Sequence, residues 1–142
     1  MYHLMVYTSR AVHEFSAADL KTLLVRSRLN NSNANVTGML IYRDGAFLQC
    51  LEGDEPSVRE VFNRIQADSR HSRVDTLIKK QEPSERRLFG KWSMGFANAS
   101  SNAQVLKGYV DLSAGQSLLS LTDKQAMDLL LSCGETEQFA AA

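Results

Sequence analysis

The residues best suited to chemistry in this sequence are a tyrosine and a glutamine in two separate apolar segments. Gln49 interrupts the apolar run at residues 46–51, and strand alternation puts its side chain on the same face as Phe47 and Leu51. An unpaired buried amide costs about 1–3 kcal/mol, so Gln49 needs a backbone group, solvent or a functional partner. Tyr7 is either a core aromatic residue or a hydrogen-bonding hydroxyl. On adjacent strands the hydroxyl and the amide can hydrogen-bond, and the amide can also reach a ligand above the sheet.

Polar side chains also share a face at the end of the first predicted helix. Ser27 and Asn31 are four residues apart, and Arg28 lies beside them. Residues at this spacing are neighbours on a helix surface, so they can border one side of a ligand site.

The second predicted helix carries a comparable set. Arg64 and Asp68 are four residues apart, and His71 follows at the helix end. Two polar stripes, one on each helix, could flank a flat hydrogen-bonding ring system. The alternatives are an exposed Arg64–Asp68 ion pair, worth about 0.3–0.5 kcal/mol, and a capping or surface histidine. The three histidines, His3, His13 and His71, show no metal-ligand spacing, so no metal site is predicted.

The sequence has a single tryptophan, Trp92, two residues before Met94. A tryptophan close to a methionine is typical of core packing. The functional alternative is that Trp92 and Met94 close the site and respond to its state.

The elements that must position these side chains begin with short strands. The dipeptide Asp44-Gly45 is typical of a tight hairpin turn and joins the second strand to the third. Runs rich in apolar, β-branched and aromatic residues predict five strands, at residues 2–8, 36–42, 46–51, 74–79 and 93–96.

Two helices alternate with these strands. Ser16 and Asp19 predict an N-terminal cap for the first helix, which should end in the polar cluster at residues 30–33. Ser57 and Glu60 predict a cap for the second helix. The order is typical of an α+β, ferredoxin-like βαββαββ sandwich with two helices on one sheet face. Right-handed crossovers then place the first and third strands side by side at the centre of the sheet.

The composition changes near residue 98. We therefore expect a sensor domain at residues 1–97 and a C-terminal helical extension at residues 98–142. Thr122 and Gln125 predict the cap of a tail helix. Its apolar residues either contact a partner or cover the open sheet face: Met127, Leu129, Leu130 and Leu131.

Composition excludes several function classes. The chain has 142 residues, enough for one core, and its formal net charge is zero, so it lacks the basic excess typical of nucleic-acid binding. No apolar run is long enough to predict a membrane span. Cys50 and Cys133 match no metal or redox spacing. Cys50 lies in an apolar run, so we expect a buried free thiol there, as in a cytoplasmic protein.

Six segments together resemble the BLUF family of flavin-based blue-light photoreceptors, over about residues 3–97. The hairpin that ends in Gln-Cys-Leu-Glu-Gly53 is the strongest of them. The others include Tyr7-Thr-Ser9, Ser27-Arg-Leu-Asn-Asn31, Val36-Thr-Gly-Met-Leu-Ile-Tyr42, Arg64-Ile-Gln-Ala-Asp-Ser-Arg-His71 and Phe89-Gly-Lys-Trp-Ser-Met94.

The resemblance implies FAD bound without a covalent bond between the two helices, although FMN or riboflavin would fit the same ring site. Tyr7 would donate an electron and a proton, and Gln49 would rotate or tautomerise and so red-shift the flavin spectrum. Trp92 and Met94 would relay the change. The implied flavin-binding residues are Ser27, Arg28, Asn31, Gln49, Arg64, Asp68 and His71.

The resemblance implies a photoreceptor with no enzymatic activity of its own. Output would then be a change of homo-oligomer or the binding of a separate effector protein. One alternative on the same fold is an acyl-phosphate hydrolase, but residues 8–13 contain no glycine for a phosphate-cradling loop. A ligand-free oligomeric interaction module is the other, and it would leave Gln49, Asn31 and Arg64 without a common purpose.

Overall fold

The computed structural model of the chain describes residues 2–82, 87–90, 93–98 and 117–134. None of the helices in these ranges is both long and apolar enough to cross a lipid bilayer. The elements follow the predicted order, and a short 3-10 helix and a third α-helix come after them. They are β1 (Tyr2–Ala11), α1 (Ala17–Asn33), β2 (Thr37–Arg43), β3 (Ala46–Asp54), α2 (Glu55–Ala67), β4 (His71–Glu82), β5 (Gly95–Asn98), the 3-10 helix (Leu118–Ser120) and α3 (Asp123–Gly134).

The sheet has the strand order β4-β1-β3-β2-β5, which confirms that the first and third strands are neighbours near its centre. β1 runs antiparallel to β3 and β4, β3 runs antiparallel to β2, and β5 pairs parallel with β2. In the β1–β3 ladder Tyr7 lies directly opposite Gln49. Residues directly opposite each other point to the same face. The predicted ferredoxin-like α+β fold is therefore confirmed, and its register brings the two candidate residues together.

Local sequence explains most of the element boundaries. Ser16 and Asp19 form the predicted reciprocal cap of α1. Asp44 and Gly45 both have positive φ, 44° and 84°, as a two-residue hairpin turn of the primed type requires. The predicted cap at Ser57 is wrong, because β3 continues to Asp54. The Asp54 carboxylate accepts from the backbone N–H of Ser57 at 3.3 Å and so begins α2.

Two strands differ in extent from the prediction. β4 begins at His71 and continues to Glu82, longer than the predicted 74–79. It is longer because β1 supplies a ten-residue partner, and the β1–β4 ladder extends from Tyr2 to Ala11. β5 occupies Gly95–Asn98, two residues later than predicted, where it pairs with Met39 to Tyr42 of β2. Partner strands, which local sequence does not reveal, set the length of β4 and the position of β5.

The sheet separates two cores. Apolar side chains of α1 and α2 pack on one face with Tyr7, Phe47 and Met94, so both helices lie on the same face as predicted. On the other face the 3-10 helix and α3 cover the sheet, and Leu129 and Leu130 are buried there. Met127 is partly buried and Leu131 is 36% exposed. The tail helix therefore covers the open sheet face, and only part of its predicted apolar set remains at the surface.

Candidate functional site

A cavity of about 370 Å³ opens between α1 and α2, above β2 and β3. This volume lies within the range of about 300–1,000 Å³ typical of small-molecule pockets. Apolar side chains from both helices and from β2 line part of it: Leu23, Leu40, Val61, Ile65 and Ala67. The remaining lining residues are polar or charged: Arg26, Ser27, Asn30, Asn31, Gln49, Arg64, Asp68, Arg70 and His71. Such a wall suits a flat ring system that is apolar at one end and rich in donors and acceptors at the other.

Three side chains form a chain of contacts at the cavity wall. The Tyr7 hydroxyl donates a hydrogen bond to Oε1 of Gln49. On the other side of the amide, Gln49 Nε2 donates to the thioether sulfur of Met94 at 3.6 Å. Gln49 also lines the cavity. The amide therefore contacts a hydroxyl donor, a sulfur acceptor and the space that a ligand would fill.

Tyr7 is held in an apolar environment. Its side chain is fully buried, and the ring of Phe62 meets it edge-on with centroids 5.1 Å apart. Burial raises the pKa of the Tyr7 hydroxyl well above its ordinary value, because the phenolate would lose its hydration. Tyr7 therefore remains a neutral hydrogen-bond donor at any physiological pH.

The end of α1 contacts the chain just before β5. Asn31 Nδ2 donates to the carbonyl oxygen of Ser93 at 2.7 Å, and Arg28 Nε donates to that of Met94 at 2.9 Å. Among the described residues, Ser27 and Asn31 line the cavity, as the helix spacing predicted, but Arg28 does not. Burial lowers the pKa of the Arg28 guanidinium.

The exposed Arg64–Asp68 ion pair, which was one alternative for the second helix, is wrong. Arg64 pairs with Glu60 at 2.7 Å on the exposed side of α2. Asp68 instead accepts from the guanidinium of Arg70 at both carboxylate oxygens and from the Arg70 backbone N–H at 2.9 Å. These bonds hold the pKa of Asp68 down at about 2. α2 ends at Ala67, so Asp68 is released from the helical geometry that an Arg64–Asp68 pair requires.

His71 is the first residue of β4. The sequence had suggested that it lies at the end of the second helix. Its Nδ1 and the hydroxyl of Ser9 share a hydrogen bond of 3.2 Å, and Phe47 meets its ring edge-on at 5.1 Å. Burial lowers the pKa of His71, which favours the neutral imidazole at neutral pH. The sheet thereby brings His71 to the same cavity as Gln49.

Met94 is buried, but Trp92 lies outside the described residues, so its predicted contribution stays a prediction. Arg70 was not predicted from the sequence, because its pairing with Asp68 depends on where the helix ends. Glu52, a fully buried carboxylate on β3, was not predicted either. A charged residue within an apolar strand was the available signal for Glu52.

Comparison with known proteins defines the class. The family model described as "BLUF: Sensors of blue-light using FAD" matches residues 1–95. The chain therefore belongs to the BLUF family, whose members bind flavin and sense blue light.

Individual relatives agree with this assignment. Photoactivated adenylate cyclase subunit alpha of Euglena gracilis is 33% identical over 86 residues, which are 61% of this chain and 8% of that protein. The chain thus spans under a tenth of the length of this curated relative. The ground-state structure of BlsA has a TM-score of 0.79 at 27% identity and covers 96% of this chain and 90% of its own. The dark-state structure of BlrB, a BLUF protein, has a TM-score of 0.76 at 26% identity, with 94% and 96% covered.

The cavity fits a flavin ring on the chemistry of its lining. An isoalloxazine has an apolar dimethylbenzene end and a pyrimidine end that carries carbonyl acceptors and one N–H donor. Asn31 and Gln49 present amides to the cavity, which can both donate and accept. Leu23, Val61 and Ile65 supply apolar surface. Among the described residues no group of His, Cys, Asp and Glu side chains is arranged to hold a metal ion.

Proposed function

We propose that this chain is a cytoplasmic blue-light photoreceptor that binds FAD without a covalent bond between α1 and α2. The observation that carries the proposal is the hydrogen bond from the Tyr7 hydroxyl to the Gln49 amide. Gln49 also lines the cavity, so this bond lies at the cavity wall. Membership of the BLUF family supports the light response. FAD is favoured by the family description, and FMN or riboflavin would use the same ring site.

The residues proposed to hold the ring come from both helices and from the strand that follows. Asn31 holds the polar edge of the ring, near its O4 and N3 atoms. Arg64 and Asp68 line the pyrimidine side, where Arg70 keeps Asp68 ionised and in place. Ser27 of α1 and His71 of β4 contribute further polar groups to the lining. The lining from both helices supports a ring that lies between them.

The switch is proposed to lie in the amide of Gln49. When bound, the flavin would supply the absorption of blue light and an acceptor for one electron and one proton. Tyr7 would donate both from its hydroxyl group, and their return to Tyr7 would restore the starting redox state. Gln49 has an acceptor end toward Tyr7 and a donor end toward Met94, so rotation or tautomerisation exchanges the two patterns. A new hydrogen bond from Gln49 toward the ring would red-shift the flavin spectrum.

Output is proposed to pass through residues 98–142, because the chain is proposed to have no enzymatic activity of its own. α3 packs on the sheet face opposite the cavity, so a change in β3 or β5 reaches it through one layer of backbone. A change of homo-oligomer or the binding of a separate effector protein would then carry the signal. Size-exclusion chromatography with light scattering, in darkness and under blue light, tests the first of these outputs.

The first prediction is spectroscopic. We expect the purified protein to carry FAD, identified by mass spectrometry after denaturation, and to show a reversible red shift under blue light. Tyr7→Phe and Gln49→Leu should each keep the flavin and lose the normal red-shifted state, because the first removes the hydroxyl donor and the second removes the amide that joins this hydroxyl to Met94. A matched control is Tyr42→Phe, which removes a hydroxyl that bonds the backbone N–H of Phe15 instead.

Two results would contradict the proposal. A colourless protein that takes up no flavin would exclude the photoreceptor. A flavoprotein in which Tyr7→Phe and Gln49→Leu both retain the normal photocycle would exclude the assignment of the switch.

A further inference from the structure

Arg28 lies beside the proposed flavin site, and its guanidinium contacts the backbone that precedes β5. Its Nε donates to the carbonyl oxygen of Met94 at 2.9 Å. One helical turn further, Asn31 Nδ2 donates to the carbonyl oxygen of Ser93 at 2.7 Å. Two successive carbonyl groups are therefore held by side chains of α1.

The held backbone carries a side chain of the switch. Met94 is 1% exposed, and its sulfur accepts from Gln49 Nε2 at 3.6 Å. A methionine has three rotatable side-chain bonds, so its sulfur adapts its position unless the backbone is fixed. Because Arg28 fixes that backbone, it reaches Gln49 through Met94 and does not need to touch a ligand.

We propose that Arg28 is a positioning residue that holds Met94 against Gln49 and thereby sets how fast the switch returns to its dark arrangement. The proposal rests on the proposed function for its effect on the photocycle. It replaces the flavin-binding role that the sequence suggested for Arg28. The geometry supports the replacement, because Arg28 donates to Met94 and the cavity is lined by its neighbours Ser27 and Asn31.

The contact itself is tested in darkness, independently of any light response. The chain contains five methionines, so methyl-labelled methionine gives a short NMR spectrum in which Met94→Leu assigns the Met94 resonance. We expect Arg28→Gln to shift or broaden that resonance. Arg59→Gln is the matched control, because Arg59 pairs with Glu55 on α2 and its side chain is 65% exposed. A Met94 resonance that Arg28→Gln leaves unchanged would overturn the proposal.

The functional part is tested by the dark-recovery rate after blue light. A single hydrogen bond of ordinary net strength corresponds to about a 2- to 10-fold change in a rate. We expect recovery of Arg28→Gln to be faster by that factor, because a Met94 backbone that Arg28 no longer holds offers less resistance to the return of Gln49. The recovery rate of Arg28→Lys should lie between those of the unaltered protein and Arg28→Gln, because lysine keeps the charge but lacks the planar Nε–H donor. Flavin content should match that of the Arg59→Gln control.

A double-variant comparison separates positioning from a general structural role. In the Met94→Leu background, Arg28→Gln should cause little further change in the recovery rate, because the side chain through which it acts is already altered. An equal effect in both backgrounds, or loss of flavin from Arg28→Gln alone, would overturn the proposal. If the unaltered protein shows no red shift, the proposed function fails, and the NMR result still decides the contact.

Discussion

At the scale of single residues, the site depends on an amide whose two ends contact different partners. The amide of Gln49 has its oxygen toward a hydroxyl that stays neutral and its nitrogen toward a sulfur. Reversing the amide would set an N–H group against the Tyr7 hydroxyl, which would then have to accept. The two arrangements therefore differ in discrete hydrogen bonds, as a switch with two states requires.

Asp68, the carboxylate at the end of α2, depends on Arg70 for its low pKa. Arg70→Gln should raise the pKa of Asp68 from about 2 toward its ordinary value of 3.8, because it removes the guanidinium hydrogen bonds that are the largest cause of the low pKa. The measurement is a carboxyl-carbon NMR titration. The control is Arg64→Gln, which should leave the pKa of Asp68 unchanged because Arg64 pairs with Glu60.

The sign of the pH dependence follows from the depressed pKa. The Asp68–Arg70 pair contributes stability above the unfolded-state pKa, and this contribution is lost as pH falls from about 3.8 toward about 2. The difference in unfolding free energy between the unaltered protein and Arg70→Gln should shrink over that window. If Arg64→Gln changed the pH dependence of the unfolding free energy as much as Arg70→Gln does, Asp68 would instead be paired with Arg64, which was the alternative suggested by the sequence.

At the scale of elements, Glu52 joins the sheet to the connection between β4 and β5. Its Oε1 accepts from Thr37 at 3.0 Å and from the backbone N–H of Phe89 at 2.6 Å. Its Oε2 accepts from the Tyr2 hydroxyl and from the backbone N–H of Leu88 at 2.9 Å. A buried carboxylate on the α3 side of the sheet therefore anchors the segment that leads to Met94.

We expect Glu52→Gln to lower the unfolding free energy by about 1–3 kcal/mol, because the amide nitrogen cannot accept and so leaves buried donors unpaired. Urea denaturation measures the loss, and hydrogen exchange should show reduced protection of the Leu88 and Phe89 amides. Glu60→Gln, on the exposed side of α2, should change stability by no more than about 0.5 kcal/mol. Equal midpoints for the two variants would show that Glu52 does not anchor this segment.

Element boundaries show how far the sequence alone leads. Local patterns predicted the cap at Ser16 and the turn at Asp44-Gly45, because each depends on residues within one turn of the chain. The start of α2 at Asp54 and the full length of β4 depend on partner strands, which lie far away in sequence. Pairing between strands that are distant in sequence therefore sets the boundaries that the local sequence does not predict.

The same distinction applies to the site. Tyr7 and Gln49 were predictable because topology and side-chain alternation together place them on neighbouring strands. The contacts of Arg28 and Asn31 with the backbone before β5 were not, since they join positions more than sixty residues apart. Such contacts depend on how the chain returns to the sheet after β4.

At the scale of the whole molecule, one sheet serves as the wall of two cores. Gln49 faces the cavity side, and its neighbours Leu48 and Cys50 face the side that α3 covers. Any displacement of β3 that accompanies the rearrangement of Gln49 therefore moves side chains both at the cavity and in the core under α3. This arrangement gives the proposed output segment a direct mechanical connection to the proposed switch.

Both thiols of the chain, Cys50 on β3 and Cys133 on α3, are fully buried in the core that α3 covers. Burial raises the pKa of Cys133 to about 12 and also raises that of Cys50, so both resist alkylation while α3 stays in place. The molecule thus contains its own reporter of tail release. If blue light detaches α3, both cysteines should react with a maleimide faster in light than in darkness. Fraying of the helix end would expose Cys133 alone, and unchanged labelling of both would mean that the signal leaves the protein with α3 still seated.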